Sequence, residues 1–184
     1  MTDYCDAAPG DPWHGPYHDD EYGFPVTSDD RLFERLVLEI NQAGLSWLTI
    51  LRKRQAFRAA YDGFAIARVA GYGAAERRRL MADVGIVRNR LKIDAAIENA
   101  RRLGAIQASH GSFRAWLDTH HPLPLAEWTR LFRATFRFTG GEIVREFLVS
   151  TGYLPGAHRS DCPVYARIAR LDPPWLKAGL TLTD

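Results

Sequence analysis

Between Leu32 and Phe57 the chain reads LFERLVLEINQAGLSWLTILRKRQAF, a long helical pattern broken once, at Ala43-Gly44. At about 100° per residue, Leu32, Phe33, Leu36, Val37, Ile40 and Ala43 share one apolar face. Glu39 falls at the edge of that face, next to Leu32 and Leu36. A carboxylate placed there either snorkels to solvent or points into a cavity beside the core. Trp47 follows eight residues later, past the break, as core or as the wall of such a cavity. A carboxylate beside a large ring suits a flat, polar or cationic ligand: the ring stacks, and the carboxylate accepts hydrogen bonds or balances charge. Spacing alone leaves both readings open.

The rest of the composition is that of one globular domain, residues 1–184, long enough to bury a sizeable core and to divide into two lobes. Nearly all of the 24 basic residues are Arg, the side chain suited to phosphate, and many fall between Arg52 and Arg102. That bias points to nucleic acid or simply to a solvated Arg-rich surface. The sequence contains no apolar run long enough to span a membrane, and residues 1–10 lack a signal-peptide pattern, so a cytoplasmic protein is expected.

Residues 1–26 show little helical periodicity and are rich in aromatic, polar and proline residues. A segment of that kind needs an external tie. The chain has two cysteines, Cys5 and Cys162. In a reducing compartment, metal binding or inert burial are the readings left for them. His158 and Cys162 stand four apart, a common zinc-ligand spacing, and Cys5 with His18 completes a Cys2His2 set. Such a site would join segments 1–26 and 152–184 around a helical core and would be structural, because four protein ligands leave no open position. The alternative is two buried thiols and two unrelated histidines. His120-His121-Pro122 reads as a loop, since adjacent His side chains diverge.

Helices are expected from Ser28 or Asp29 onward through the central stretch, then over residues 55–64, 65–71, 74–82, 91–103, 112–118, 125–134 and 141–151. Between two of them lies Asp83-Val84-Gly85-Ile86-Val87-Arg88-Asn89-Arg90. A tight glycine turn followed by basic residues and a helix N-terminus is the pattern of a helix-hairpin-helix, which holds a DNA phosphate on backbone N–H groups. It is equally the pattern of an αα-hairpin whose turn merely needs Gly. Arg88, Arg90 and Lys92 add positive charge.

At this point the chain resembles the bacterial DNA-3-methyladenine glycosylases of type I. The resemblance covers nearly the whole sequence. It rests on Asp11-Pro12, Tyr17-His18-Asp19 with Glu21 and Gly23, Glu39 with Gln42-Ala43-Gly44-Leu45-Ser46-Trp47, Gly85 to Ile93, Phe136-x-Phe138-x-Gly140, and His158-x-x-x-Cys162. It implies an all-α, two-lobed helix-hairpin-helix glycosylase fold with a structural zinc on Cys5, His18, His158 and Cys162. It also implies a monofunctional, monomeric enzyme that flips an alkylated purine from double-stranded DNA and hydrolyses its glycosidic bond. Glu39 would bind the polar edge of the base and act in catalysis, Trp47 would stack on the base and Tyr17 would hydrogen-bond to it. Gly85, Val87, Arg88 and Arg90 would meet the DNA backbone. The sequence departs from the family at Ala7, where a Trp is usual, and at His14, Tyr22, Glu142 and Arg145. These departures keep a second reading open, a protein of the same fold that binds DNA or a modified base without cutting.

Overall fold

The computed structural model describes residues 3–181. Helices are the only regular elements among them. In chain order the α-helices are α1 (Tyr4–Ala7), α2 (His14–Asp20), α3 (Asp29–Gln42), α4 (Trp47–Ala60), α5 (Ile66–Ala70), α6 (Ala74–Ala82), α7 (Arg90–His110), α8 (Phe113–His120), α9 (Leu125–Thr135), α10 (Gly141–Ser150), α11 (Pro163–Ala169) and α12 (Pro174–Lys177), with one 3-10 turn, Asp62–Phe64, between α4 and α5. No helix among the described residues is long and apolar enough to cross a membrane.

The apolar face expected of residues 32–43 understates the burial of α3. Every residue from Leu32 to Asn41 is buried, because α4, α5, α7, α8 and α10 surround the helix. Most of the core is one continuous cluster around it, closed by Phe57, Phe64, Phe113, Trp128, Phe132 and Phe147. A small satellite forms near Cys162 from Val164, Ile168, Phe24 and Tyr165.

Local chemistry explains where several helices start. Ser28, Ser46, Asn89 and Ser112 each accept a backbone N–H of the helix they precede. Asp29 does more than begin α3. Its carboxylate accepts the backbone N–H of Phe113 at 2.8 Å and of Arg114 at 3.1 Å, so it caps α8 from a distance.

Three expectations need correction. Residues 1–26 are not irregular throughout: Asp11 accepts the N–H groups of Trp13 and His14 at 2.8 and 2.7 Å and starts α2. Helix α7 does not end at Leu103 but continues to His110, because Ile106 extends its buried face and Gly111, at φ +82°, is the first residue to break it. Residues 47–60 are one helix rather than two segments divided near Gln55. His120 is the last residue of α8 and bonds the Trp116 carbonyl, and only His121, which bonds the Tyr153 carbonyl, lies in the loop expected there.

Burying a whole helix brings its charges along. Glu34 is 4% exposed and accepts from Arg54 at 2.8 Å and Arg58 at 2.9 Å. Arg54 also holds both oxygens of Glu21, at 2.6 and 2.7 Å, and Arg35 donates to Glu21 at 2.8 Å. Burial alone would raise the Glu34 carboxyl, but the two guanidiniums outweigh it and leave the group below its ordinary value. Removing one partner of such a buried network leaves uncompensated charge and costs about 3–5 kcal/mol. Arg54→Ala is therefore expected to destabilise the fold by that amount in urea unfolding. Because the Glu21 and Glu34 values are depressed in the folded state, their stabilisation is complete above the ordinary value of 4.5 and fades as pH falls below it. The wild type should lose stability on acidification through that range, and Arg54→Ala should lose less.

Candidate active site and metal cluster

Helix α3 carries four buried polar or charged residues: Glu34, Arg35, Glu39 and Asn41. Glu34 and Arg35 are paired as described, and the Asn41 amide donates to the Val37 carbonyl at 2.8 Å. Glu39 differs. It is 4% exposed, and no described residue hydrogen-bonds to its carboxylate. It faces a cavity of about 250 Å³. That is slightly below the roughly 300–1,000 Å³ of sites for drug-sized ligands and suits something nearer a single nucleobase.

The cavity walls are aromatic and acidic. Trp47, at the start of α4, and Tyr17, from α2, meet with ring centroids 5.1 Å apart. Tyr4, Tyr22, Gln42 and Glu146 complete the lining. The Trp47 indole N–H is buried with no acceptor. The Tyr17 hydroxyl also has no hydrogen-bond partner among the described residues, and burial chiefly keeps it protonated. Arg35 lies 4.7 Å from the centre of the Tyr17 ring and steadies it from behind. Burial, reinforced by the Glu146 carboxylate and opposed by Arg35, pushes Glu39 up to about 8. The cavity thus offers one enclosed carboxyl, the unpartnered Tyr17 hydroxyl and flat walls. A buried polar group without a partner is costly, so a ligand that supplies the missing bonds is favoured.

The structure therefore brings Tyr17, Glu39 and Trp47 to one cavity. It also adds residues that sequence reasoning missed. Tyr4 stands next to Cys5 and had no signal of its own; its hydroxyl meets His14 Nδ1 at 3.1 Å. Ala7, by contrast, is exposed and does not line the cavity. Glu142 and Arg145 are exposed on α10, whereas their neighbour Glu146 turns inward.

Beside the cavity, Cys5, His18, His158 and Cys162 converge, with all four ligand atoms within 4.8 Å of one another. Cys162 Sγ lies 3.8 Å from His18 Nε2 and 3.7 Å from His158 Nδ1, and Cys5 Sγ lies 3.7 Å from the same His158 nitrogen. The far ring nitrogens are occupied. His18 Nδ1 donates to Asp19 at 2.7 Å and His158 Nε2 donates to the Tyr22 carbonyl at 2.9 Å. Those bonds fix the tautomers that aim a lone pair from each ring at the thiols. The group can hold a metal ion. Gly23 makes room for it: at φ +82°, a Cβ there would meet Ala157 Cβ at 2.5 Å.

The turn from Asp83 to Asn89 packs closely on α4, which explains Gly85: a Cβ would come within 2.9 Å of Ala56 Cβ. The Gly85 N–H is not available to a ligand, since it donates to Asp83 at 2.8 Å. The N–H groups of Val87 and Arg88 have no acceptor among the described residues, and Arg88 and Arg90 are exposed. Lys92 is not a surface charge. It is 5% exposed and donates to the Asn41 and Ala43 carbonyls at 3.0 and 2.6 Å, which caps the C-terminal end of α3 and joins the turn to the cavity rim.

Comparison with known proteins agrees with this geometry. A family profile described as methyladenine glycosylase matches residues 7–129. The chain is 34% identical to DNA-3-methyladenine glycosylase 1 of Escherichia coli K12 over 151 residues, 81% of each chain. It is similar, at TM-score 0.81 and 30% identity, to a crystal structure of a Tyr-to-Phe variant of 3-methyladenine DNA glycosylase I in complex with 3-methyladenine, covering 89% of this chain and 98% of that one. The Staphylococcus aureus 3-methyladenine DNA glycosylase I gives a TM-score of 0.80 at 31% identity, over 88% of this chain and 96% of its own. On sequence and fold together, the chain belongs to the methyladenine glycosylase family.

Proposed function

We propose that this protein is a DNA repair glycosylase that extrudes an alkylated purine, 3-methyladenine, from duplex DNA and hydrolyses its N-glycosidic bond. The observation that carries the reading is the enclosed Glu39 carboxyl, without a protein partner, in an aromatic cavity of nucleobase size. Alkylation at N3 makes the nucleotide's ring cationic. Trp47 stacks on that ring, Tyr17 donates a hydrogen bond to it, and Glu39 as carboxylate balances its charge and accepts from its exocyclic amine. When the bond from N9 to the sugar breaks, its electron pair neutralises the base, so the leaving group needs no strong acid. Glu39 then stabilises the positive character that develops on the sugar, and water adds to the anomeric carbon with loss of a proton. Lys92 takes no part as a nucleophile, because its ammonium is committed to two carbonyls.

In the same reading the protein is one domain of two lobes, and Cys5, His18, His158 and Cys162 hold a structural zinc. Tetrahedral zinc with sulfur arms of about 2.3 Å and nitrogen arms of about 2.0 Å implies edges of roughly 3.6 Å, close to the observed 3.7 and 3.8 Å. Zinc supplies no chemistry to the reaction there; it ties α1, α2 and the segment before α11 behind the cavity. The N–H groups of Val87 and Arg88, with the side chains of Arg88 and Arg90, hold a DNA phosphate.

Elemental analysis is expected to find about one zinc per chain, and Cys162→Ser should lose the metal and much of the fold's thermal stability. Retention of full metal by Cys162→Ser would rule out this ligand set. Glu39→Gln should keep fold and metal but excise 3-methyladenine at least about tenfold more slowly, equivalent to the roughly 1.5–3 kcal/mol of a charge-assisted hydrogen bond; wild-type excision rates would make Glu39 a bystander. Trp47→Ala is a weaker test because that ring also packs on the core. Duplex affinity should fall with salt, and Arg88→Ala and Arg90→Ala should lower it alike for all sequences in a binding titration. A non-catalytic base-binding protein would instead bind alkylated DNA and release no base.

A further inference from the structure

Most surface arginines of this protein are paired. Arg31, Arg68, Arg77, Arg114, Arg159 and Arg167 each lie within 3.6 Å of a carboxylate oxygen. Helix α9 departs from this. Arg130 and Arg133 are exposed one turn apart, on the side of the helix opposite the buried Trp128 and Phe132, and Arg137 is exposed just past its end. Among the described residues, none of these three guanidiniums has a hydrogen bond, an ion pair or a ring contact. Glu127, one turn before Arg130, and Glu142, at the start of α10, are exposed and pair with none of them. Arg52, Arg78 and Arg170 also lack an ion pair, but each stands on or beside a different helix. A cation in the last turn of a helix complements its dipole, which accounts for Arg133. It does not account for Arg130, a turn earlier, or for Arg137.

The end of this row is held rigidly. Asn99 on α7 is fully buried; its amide donates to the Arg137 carbonyl at 3.1 Å and accepts the Arg137 N–H at 2.7 Å. Phe138, the next residue, is 41% exposed at φ +61°, a left-handed backbone that an aromatic residue keeps only where its surroundings hold it. Arg137 and Phe138 share a groove with Leu91, which follows Arg90 on α7. The row therefore ends beside the turn that carries Arg88 and Arg90, and its other members follow α9 from there. A row of cations without acids fits an extended polyanion: each guanidinium can meet a phosphate, and release of condensed counterions favours the contact. We propose that Arg130, Arg133 and Arg137 form a second contact tract for the backbone of the DNA duplex. It adjoins the turn at Arg88 and Arg90 and lengthens the protein's footprint on the duplex without reading its sequence.

The inference rests on duplex DNA being the substrate, and the experiment separates the two ideas. Binding of undamaged duplex DNA is titrated over a range of salt concentrations with the wild type and with the triple variant Arg130→Gln, Arg133→Gln, Arg137→Gln. Each lost phosphate contact lowers the slope of log affinity against log salt by about 0.9. The triple variant should therefore bind at least about tenfold more weakly at low salt, with a slope smaller by about 2–3, for every sequence alike. A second triple variant, Arg68→Gln, Arg114→Gln, Arg170→Gln, removes the same charge from other faces and should keep the wild-type slope. In the wild type, duplex DNA should shield Arg130, Arg133 and Arg137 from phenylglyoxal, read by peptide mass, and leave Arg114 reactive; this measurement needs no variant. An unchanged slope in the folded first variant overturns the tract, as does an equal loss in the second. Absence of shielding, or shielding by single-stranded RNA and not by duplex DNA, overturns it too. A wild type that neither binds duplex DNA nor releases 3-methyladenine from it overturns the reading of the substrate itself.

Discussion

The structure depends on the burial of α3 around its whole circumference. A helix enclosed by others cannot leave polar groups to water, so each one needs a partner or a function. Glu34 and Asn41 have partners in the protein, and Arg35 has one through Nη2 while its Nη1 is buried without an acceptor. Glu39 has none at all among the described residues, and its carboxylate is where the cavity opens. In the proposed function, the ligand is the missing partner.

The network that satisfies Glu34 and Arg35 also places the cavity. Glu21 receives Arg54 from α4 and Arg35 from α3, which pins the end of α2 against both helices. Tyr17 lies one turn earlier on α2 and Tyr22 immediately after Glu21, so the same ion pairs set two walls of the cavity. Another wall comes from α10 through Glu146. Behind these elements the Cys5, His18, His158 and Cys162 cluster joins short helices that share only a small satellite core. Those segments share little apolar surface, and in the proposed function a metal held by the cluster supplies the constraint that packing does not. Arg159, which pairs with Asp6 at 2.7 Å, adds only a surface tie between them.

The hairpin turn and the cavity communicate through Lys92. Its ammonium sits on the last carbonyls of α3, next to Gln42 in the cavity lining, while the helix that carries it begins at the turn. Lys53 performs the matching task from α4, donating to the Val84 and Gly85 carbonyls. Both lysines are therefore structural cations that fix the turn against the cavity rim; in the proposed function a phosphate is met by Arg88 and Arg90, the latter 3.8 Å from Asp94 on its own helix.

Much of this is legible in the residues alone. The period of residues 32–43 determines a helix with an apolar face, Gly44 determines its end, and the serine and asparagine caps mark where α3, α4, α7 and α8 begin, because these signals act over a few residues. The pairing of each cysteine with a histidine is also legible, since the chain has only two thiols to place. Tertiary structure alone decided that Glu39 faces a cavity while Glu34, five residues earlier, meets Arg54 and Arg58. It alone set Glu146 and Tyr4 in the cavity wall, sent Lys92 inward rather than toward solvent, and gave the Gly85 N–H to Asp83. In each case the local pattern reports that a polar side chain lies on or near a buried face. What stands opposite it depends on residues brought from as far as a hundred positions away, and periodicity carries no information about them.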